Sequence, residues 1–193
     1  MSELDSTYWT ERYESGQTGW DIGHESTPLK EFIDALEDKS IKILIPGCGN
    51  AYEAQYLWQK GFENVHLIDL SSTPLENFSK LFPDFPKDQL ICGDFFEHDG
   101  TYDLILEQTF FCAINPSFRD AYVEQMLKLL VNGGSLVGLL FNFPLTEAGP
   151  PFGGSLEEYE QRFTPFESKS IEPCMNSIAP RAGKEFFIHM KKK

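Results

Sequence analysis

The sequence predicts a three-layer α/β domain, with helices on both faces of a mostly parallel sheet. Three observations carry that expectation. Short apolar runs alternate with amphipathic stretches through the middle of the chain, which is how strands buried on both faces and joined by helices read. The first run ends in a glycine turn, Gly47-Cys48-Gly49, of the kind that leads from strand to helix in such folds. After the last apolar run come a helix and then two consecutive strand-like segments, which adds an antiparallel end.

The elements follow in order. The opening forty residues are polar and aromatic, with a helical turn at Tyr8 to Tyr13; Gly16, Gly19 and Gly23 break any longer helix. Pro28 to Leu36 reads as a helix with proline at its start and Leu29, Phe32, Ile33 and Leu36 on one face. Ile41 to Ile45 is the first strand, stopped by Pro46 and Gly47. A helix follows at Ala51 to Lys60, then a strand at Val65 to Asp69. A helix at Pro74 to Leu81 is closed by Pro83 and Pro86. Gln89 to Cys92 and Tyr102 to Leu106 are the third and fourth strands. Phe118 to Leu130 is an amphipathic helix that Asn132-Gly133-Gly134 terminates. Ser135 to Phe141 is a fifth, almost wholly apolar strand. Pro144 to Gly154 is a loop, Leu156 to Phe163 a helix, and Lys169 to Glu172 with Glu185 to Met190 a closing strand pair. Crossovers between the parallel strands should be right-handed.

Composition sets bounds. A chain of 193 residues with 41% hydrophobic and 24% charged residues suits one domain with a real core. Its 17 phenylalanines exceed what a core needs, so some are expected to line a pocket. A net charge of -14 argues against a nucleic-acid partner, although acidity also serves plain solubility. The only basic run, Lys191-Lys192-Lys193, reads as a solvated tail. No apolar run reaches membrane-spanning length. The acidic start Met1-Ser2-Glu3-Leu4-Asp5 lacks the apolar stretch of a secretory signal. Cysteines at 48, 92, 112 and 174 form no CxxC pair, so no metal site is expected, and reduced thiols point to a cytoplasmic protein.

In an open parallel sheet, ligands sit beyond the carboxyl ends of the strands. There Gly47 and Gly49 let the backbone turn tightly and approach a ligand. Asp69 ends the second strand about 20 residues on, where such folds place a carboxylate that accepts from ribose hydroxyls. A dinucleotide site would want a third glycine at position 52, which is Tyr52, and no GK[ST] follows to make a phosphate loop. A nucleoside without phosphates needs neither, and S-adenosylmethionine is such a ligand. The plainer alternatives are a bare strand-to-helix turn and an Asp69 that caps the next helix, a task Ser71, Ser72 or Thr73 can take instead. After strand three, Asp94 can accept from an adenine amino group and Phe95 can wall the ring; otherwise they are a turn aspartate and a core phenylalanine. At the end of strand four, Glu107 and Gln108 fall where a sulfonium and its amino-acid portion would lie, or are simply polar loop residues.

Several segments then match one family in combination. Tyr8-Trp9-Thr10-Glu11-Arg12-Tyr13 followed by Gly16-Gln17-Thr18-Gly19-Trp20-Asp21 resembles the N-terminal signature of the thiopurine S-methyltransferase superfamily. Pro46-Gly47-Cys48-Gly49, Phe110-Phe111-Cys112-Ala113-Ile114, Gly149-Pro150-Pro151-Phe152 and Ile178-Ala179-Pro180-Arg181-Ala182-Gly183-Lys184-Glu185 extend it over nearly the whole chain. The last two segments look closer to the thiol and halide (thiocyanate) methyltransferase branch. The resemblance implies a Rossmann-like class I methyltransferase sheet of seven strands with the last antiparallel. It implies one domain over residues 1–193, whose segment 1–40 is a lid. It also implies cofactor contacts at Trp9, Tyr13, Trp20, Gly47, Asp69, Asp94, Phe95 and Gln108, to which the glycine turn adds Gly49, and it puts Phe152 near the methyl acceptor; Phe110 and Phe143 are further candidates for that aromatic pocket. Two positions depart from the pattern: Tyr13 stands where tryptophan is usual, and Gln108 where thiopurine enzymes carry arginine and plant halide enzymes tyrosine.

The activity implied is methyl transfer from S-adenosylmethionine to a small thiol, thiopurine, halide or thiocyanate. A soft anion needs no general base, so no catalytic residue is assigned; alignment and a dry aromatic site suffice. Phe111 joins the candidate wall. Cys112 reads as a small buried residue rather than a nucleophile, and His24, His66, His98 and His189 are scattered. Two rival classes are an NAD-dependent oxidoreductase, which Tyr52 disfavours, and a binding module that keeps the cofactor fold without transfer. Oligomeric state is not encoded legibly; a monomer is compatible with everything above.

Overall fold

The computed structural model describes residues 4–193; Met1, Ser2 and Glu3 of the acidic opening lie outside the described residues. Helices α1 (Ser6–Glu14) and α2 (Thr27–Asp34) precede strand β1 (Ile43–Pro46). Then come α3 (Tyr52–Gln59), β2 (Val65–Asp69), α4 (Ser72–Leu81), β3 (Leu90–Cys92) and β4 (Tyr102–Gln108). The second half holds α5 (Arg119–Leu129), β5 (Leu130–Phe141), α6 (Leu156–Arg162), β6 (Ser168–Pro173) and β7 (Glu185–Lys191). The seven strands form one sheet in the order β3-β2-β1-β4-β5-β7-β6. All pairs from β3 to β5 are parallel, and β7 runs antiparallel between β5 and β6. Strand order reverses at β1 and β4, so a crevice opens beyond their carboxyl ends.

Alternation along the strands splits the core into two layers. Ile43, Ile45, Leu67, Leu104, Leu106 and Val137 pack with Leu29, Ile33, Leu57 and Phe78 from α2, α3 and α4. Leu44, Ile68, Ile105, Leu136 and Leu140 pack with Tyr122, Met126 and Tyr159 from α5 and α6. Each fully buried aliphatic side chain contributes about 2 kcal/mol of transfer free energy, and this drives the layering.

Several expected features are corrected. The first helical turn is a full helix, α1, whose Asp5 carboxylate caps it by accepting from Tyr8 N at 2.8 Å. Segment 1–40 is not one covering unit: Pro28, Leu29 and Ile33 of α2 are buried in the core, whereas α1 buries no residue. Asn132-Gly133-Gly134 does not terminate the long helix. That helix ends at Leu129 and β5 begins at once. Tyr102 pairs with Leu130 and Leu104 with Ser135, so Val131 to Gly134 bulge out of the ladder. Gly133 takes φ +78° there, and Lys192 O accepts from its N–H at 3.1 Å. The terminal lysines are accordingly not a free tail. Lys191 lies in β7, and the Lys192 ammonium donates to Leu130 O at 2.6 Å.

The loop from 144 to 154 is held from below. Arg119 is fully buried at the start of α5, donating from Nη1 to Glu158 of α6 at 2.8 Å and from Nη2 to Gly153 O at 2.8 Å. Its guanidinium carbon lies 4.6 Å from the centroid of the Phe111 ring. One cation thus fixes the loop, α5 and α6 to each other. Among the described residues, no helix is long and apolar enough to cross a membrane.

Candidate active site

The glycine turn carries the geometry its sequence foretold. β1 ends at Pro46, and Gly47 and Gly49 take φ of +56° and +52°, a region L side chains avoid. At Gly47 there is a second reason for glycine. A Cβ would lie 2.4 Å from Cδ2 of Phe110, so the close approach is to a ring of the chain itself. Gly49 N donates to Asp69 Oδ2 at 3.1 Å, and Ser71 N donates to Asp69 Oδ1 at 2.9 Å. Asp69 therefore ties the turn after β1 to the turn after β2. Ser71, not Asp69, caps α4, accepting from Thr73 N. Burial raises the Asp69 pKa, while backbone N–H groups of Ser71, Gly49 and Leu70 oppose the rise. Each carboxylate oxygen keeps a further lone pair for a ligand hydroxyl.

A cavity of about 1210 Å³ opens beyond these strand ends. Gly47, Asp69, Asp94 and Phe95 form its floor, and Trp9, Tyr13 and Trp20 its cover. Asp94 caps the short turn Phe95–Glu97 by accepting from Phe96 N at 2.8 Å, which leaves its other oxygen free. Phe95 is buried edge-on against Phe110, ring centroids 5.1 Å apart. In the cover, Trp20 meets Trp9 at 5.4 Å and Tyr13 at 5.7 Å, both edge-to-face. Polar ties seat it. Thr10 and Ser71 hydroxyls share a hydrogen bond at 2.8 Å, Arg181 Nη2 donates to Trp20 O at 2.8 Å, and Asn50 Nδ2 donates to Asp21 Oδ2 at 2.5 Å. Tyr52, where a dinucleotide fold has its third glycine, donates its hydroxyl to Asp21 at 3.3 Å. Burial and the nearby Asp69 raise the Tyr13 pKa, so its hydroxyl stays protonated.

Gln108 and Glu107 part company. Gln108 lines a side pocket of about 50 Å³ with Trp20, Gly47, Gly49 and Thr109, adjoining the cavity. Its Oε1 is buried and has no hydrogen-bond partner among the described residues. Glu107 does not face the site, contrary to expectation. It is fully buried, its carboxylate accepting from Phe110 N at 2.8 Å, Phe111 N at 3.1 Å and the Tyr122 hydroxyl at 2.8 Å. Gly138 on β5 makes room, since a Cβ there would lie 2.3 Å from the Glu107 Cβ. Burial pushes the Glu107 carboxyl up to about 7. It shapes the turn after β4, where Thr109 takes φ +60°.

The expected phenylalanine wall is only partly formed. Phe110 lines the cavity. Phe111 is buried among Tyr122, Tyr159 and Phe163. Phe143 pairs in an isolated bridge with Gly154 and does not line the cavity. Phe152 does not either. Its N–H donates to Cys112 O at 2.7 Å, and its ring packs under Gly149, where a Cβ would meet it at 2.6 Å. Phe141, Pro150 and Pro151 form that wall instead. Cys112 contributes a buried thiol that donates to Thr109 O at 3.2 Å, and burial raises its pKa. None of the four histidines lines the cavity; burial pushes His66 down to about 4.

Two cationic residues that sequence reasoning leaves out of the site, Arg12 and Arg181, also line the cavity. Helical spacing was the available signal for Arg12, which follows Trp9 by three residues and precedes Tyr13. The chemistry on offer is binding and alignment. The carboxylates of Asp69 and Asp94, the aromatic cover and the guanidinium groups of Arg12 and Arg181 all line one cavity.

The chain matches known proteins over most of its length. The family model for thiopurine S-methyltransferase matches residues 4–185. A probable thiol methyltransferase 2 of Arabidopsis thaliana is 34% identical over 199 residues, covering 100% of this chain and 88% of the relative. Thiocyanate methyltransferase 1 of Brassica oleracea is 31% identical over 191 residues, covering 95% and 84%. Among solved structures, the Burkholderia thailandensis 1,6-didemethyltoxoflavin-N1-methyltransferase with bound S-adenosylhomocysteine superposes with a TM-score of 0.76 at 17% identity, covering 97% of this chain and 87% of that one. This last likeness concerns the fold.

Proposed function

The chain belongs to the thiopurine S-methyltransferase family, and from that premise we propose that it methylates a small, soft, anionic acceptor, such as a thiolate, thiocyanate or halide. It is an S-adenosylmethionine-dependent methyltransferase of that family. The observation that carries the acceptor reading is the far wall of the cavity. Phe141, Pro150, Pro151 and Phe110 offer apolar surface, two arginines line the same cavity, and none of its lining residues is a histidine. That suits a nucleophile that arrives already ionised, including an ionised thiopurine.

The residues fit the cofactor. Gln108 has an unpartnered buried Oε1 beside Gly47, able to accept from an ammonium, and an amide NH₂ able to donate to a carboxylate. Asp69 would accept from ribose hydroxyls on the lone pairs its backbone donors leave free, Asp94 would accept from the adenine amino group, and Phe95 would wall the ring. When bound, S-adenosylmethionine would supply a methyl group activated by its sulfonium, with the neutral thioether as leaving group. Trp9, Tyr13 and Trp20 exclude water from the acceptor's approach. Since an anion and a sulfonium neutralise each other, a dry site favours the step. Gly47 lets Phe110 close against the turn, which keeps the acceptor in line.

The covering unit is residues 6–23, acting as a lid, rather than the whole of segment 1–40. The charge of -14 supports a small-molecule acceptor over nucleic acid. The four unpaired cysteines support a cytoplasmic location. Methyl transfer is tested with isotopically labelled cofactor against thiols, hydrosulfide, iodide, thiocyanate and thiopurines. Turnover of at least one anion is expected, and turnover of none would remove the acceptor assignment. Calorimetry with S-adenosylhomocysteine tests the cofactor site separately.

A further inference from the structure

We propose that Arg12 is the acceptor-selecting cation of the cavity, a guanidinium carried on the covering helix that binds the anionic acceptor before transfer. The inference rests on the anionic-acceptor reading above and assigns it a residue. Two arginines line the cavity, and they differ in what already holds them. Arg181 donates from Nη2 to Trp20 O at 2.8 Å and lies 3.4 Å from the buried carboxylate of Glu185 through Nη1. Its charge is partnered and its direction fixed. It latches the cover to the start of β7.

Arg12 is not held in that way. Among the described residues, no carboxylate lies within 4.0 Å of its nitrogens, and its Nε is buried without a hydrogen-bond partner. Its guanidinium carbon lies over the Tyr8 ring, 4.6 Å from the centroid. Stacking orients the plane but consumes none of the in-plane N–H donors. A desolvated guanidinium nitrogen in a cavity, in a chain of net charge -14, is a costly arrangement unless an anion completes it.

The anion is not expected to be the cofactor's own carboxylate. The amino-acid end of that molecule has a partner in Gln108, in the side pocket shared with Gly47 and Trp20. Thr10, on the same helix, faces α4 through Ser71. Two residues further along an α-helix turns the side chain roughly 200° away, so Arg12 points off the α4 side. Guanidinium is weakly hydrated and pairs well with soft, weakly hydrated anions. Because α1 buries no residue, acceptor capture and closure of the cover would be coupled.

The test uses the full chain and the substitutions Arg12→Gln and Arg12→Lys. With thiocyanate, iodide and hydrosulfide as acceptors, Arg12→Gln should raise acceptor KM by about tenfold or more, with kcat changed far less. Affinity for S-adenosylhomocysteine, read by calorimetry, should stay within about twofold, and Arg12→Lys, which keeps the charge but not the weakly hydrated plane, should recover only part of the acceptor KM. Calorimetric binding of thiocyanate to the S-adenosylhomocysteine complex gives a readout independent of turnover and should weaken in parallel. An unchanged acceptor KM and unchanged thiocyanate binding in Arg12→Gln would overturn the proposal. So would a loss of S-adenosylhomocysteine affinity alone, which would give Arg12 to the cofactor carboxylate. If the unsubstituted protein turns over no anion, the anionic-acceptor reading fails first. Absent thiocyanate binding then sinks the role of Arg12 as well, while binding that depends on Arg12 preserves it as an anion site.

Discussion

Replacing Glu107 by glutamine should make the protein more stable at pH 8 than the original, and the gain should vanish in acid. Burial, opposed by three donors, pushes the Glu107 carboxyl from 4.5 to about 7. Below pH 4.5 the group is protonated in both folded and unfolded chains. Between 4.5 and 7 the folded state keeps a proton the unfolded state has released, so stability falls as pH rises. Above 7 the loss is complete, and at 1.36 kcal/mol per pKa unit it amounts to roughly 3 kcal/mol. Glutamine does not titrate. Its Oε1 can still accept from Phe110 N and Phe111 N, and its NH₂ can donate to a Tyr122 hydroxyl that turns round. At pH 4.5 the two proteins should therefore differ by less than about 1 kcal/mol. At pH 8 the variant should have gained roughly 3 kcal/mol on the original. Asp69 and Glu53, whose burial also raises their pKa, are common to both proteins and cancel in the difference. Urea titrations followed by tryptophan fluorescence at several pH values between 4.5 and 8 measure it. Parallel stability profiles, with a difference that does not change across that window, would refute the reasoning.

Three further perturbations follow from the same geometry. Gly47→Ala adds a Cβ 2.4 Å from Phe110 Cδ2 at a φ of +56°; strain and overpacking together should cost about 3 kcal/mol in denaturant titration, and calorimetry should show lost cofactor binding. Asp69→Asn should keep the fold, because an amide oxygen can still serve Gly49 N or Ser71 N, yet weaken S-adenosylhomocysteine binding by about tenfold or more; unchanged affinity would remove Asp69 from the site. Arg119→Met leaves Gly153 O without its donor and Glu158 with Arg162 alone, at a cost of about 2 kcal/mol, so the unfolding temperature should fall by roughly 4–8 °C.

Elements whose signal is local were legible in the sequence. Val65 to Asp69 is a strand with the bounds expected from an apolar run between polar neighbours, and Asp69 stands at its end. Asn132-Gly133-Gly134 misled because glycine after a helix usually means a cap. Here pairing of Leu130 with Tyr102, nearly thirty residues away, claims the chain one residue after the helix, and the glycines serve a bulge. Phe152 misled for a related reason. A loop rich in proline and glycine gives no period by which to tell a ring facing the cavity from one packed behind Gly149. The buried Arg119 that fixes this loop has partners at 153 and 158, a pairing no local pattern reveals.

The pair at the end of β4 shows where the sequence held more than was drawn from it. Successive side chains on a strand point to opposite faces, so Glu107 and Gln108 could not both turn to one ligand. Leu104 and Leu106 belong to the layer with α2, α3 and α4, and Ile105 to the layer with α5. Continuing that alternation sends Glu107 toward α5, where Tyr122 meets it, and Gln108 toward the glycine turn. What the alternation cannot say is whether a carboxylate survives on the α5 side. Gly138 lies directly opposite Glu107 in the β4–β5 register and supplies the space, while Phe110 N, Phe111 N and Tyr122 supply the donors. The carboxylate is thus spent on the shape of the turn that carries Phe110 to Gly47. The amide next to it is the one polar side chain at the end of β4 left with an unmet acceptor. A Gln108→Leu substitution isolates that role. It should weaken S-adenosylhomocysteine binding by about tenfold while leaving the pH profile of stability, to which Glu107 contributes and Gln108 does not, unmoved. A changed profile with intact binding would mean the two side chains have been assigned to the wrong faces.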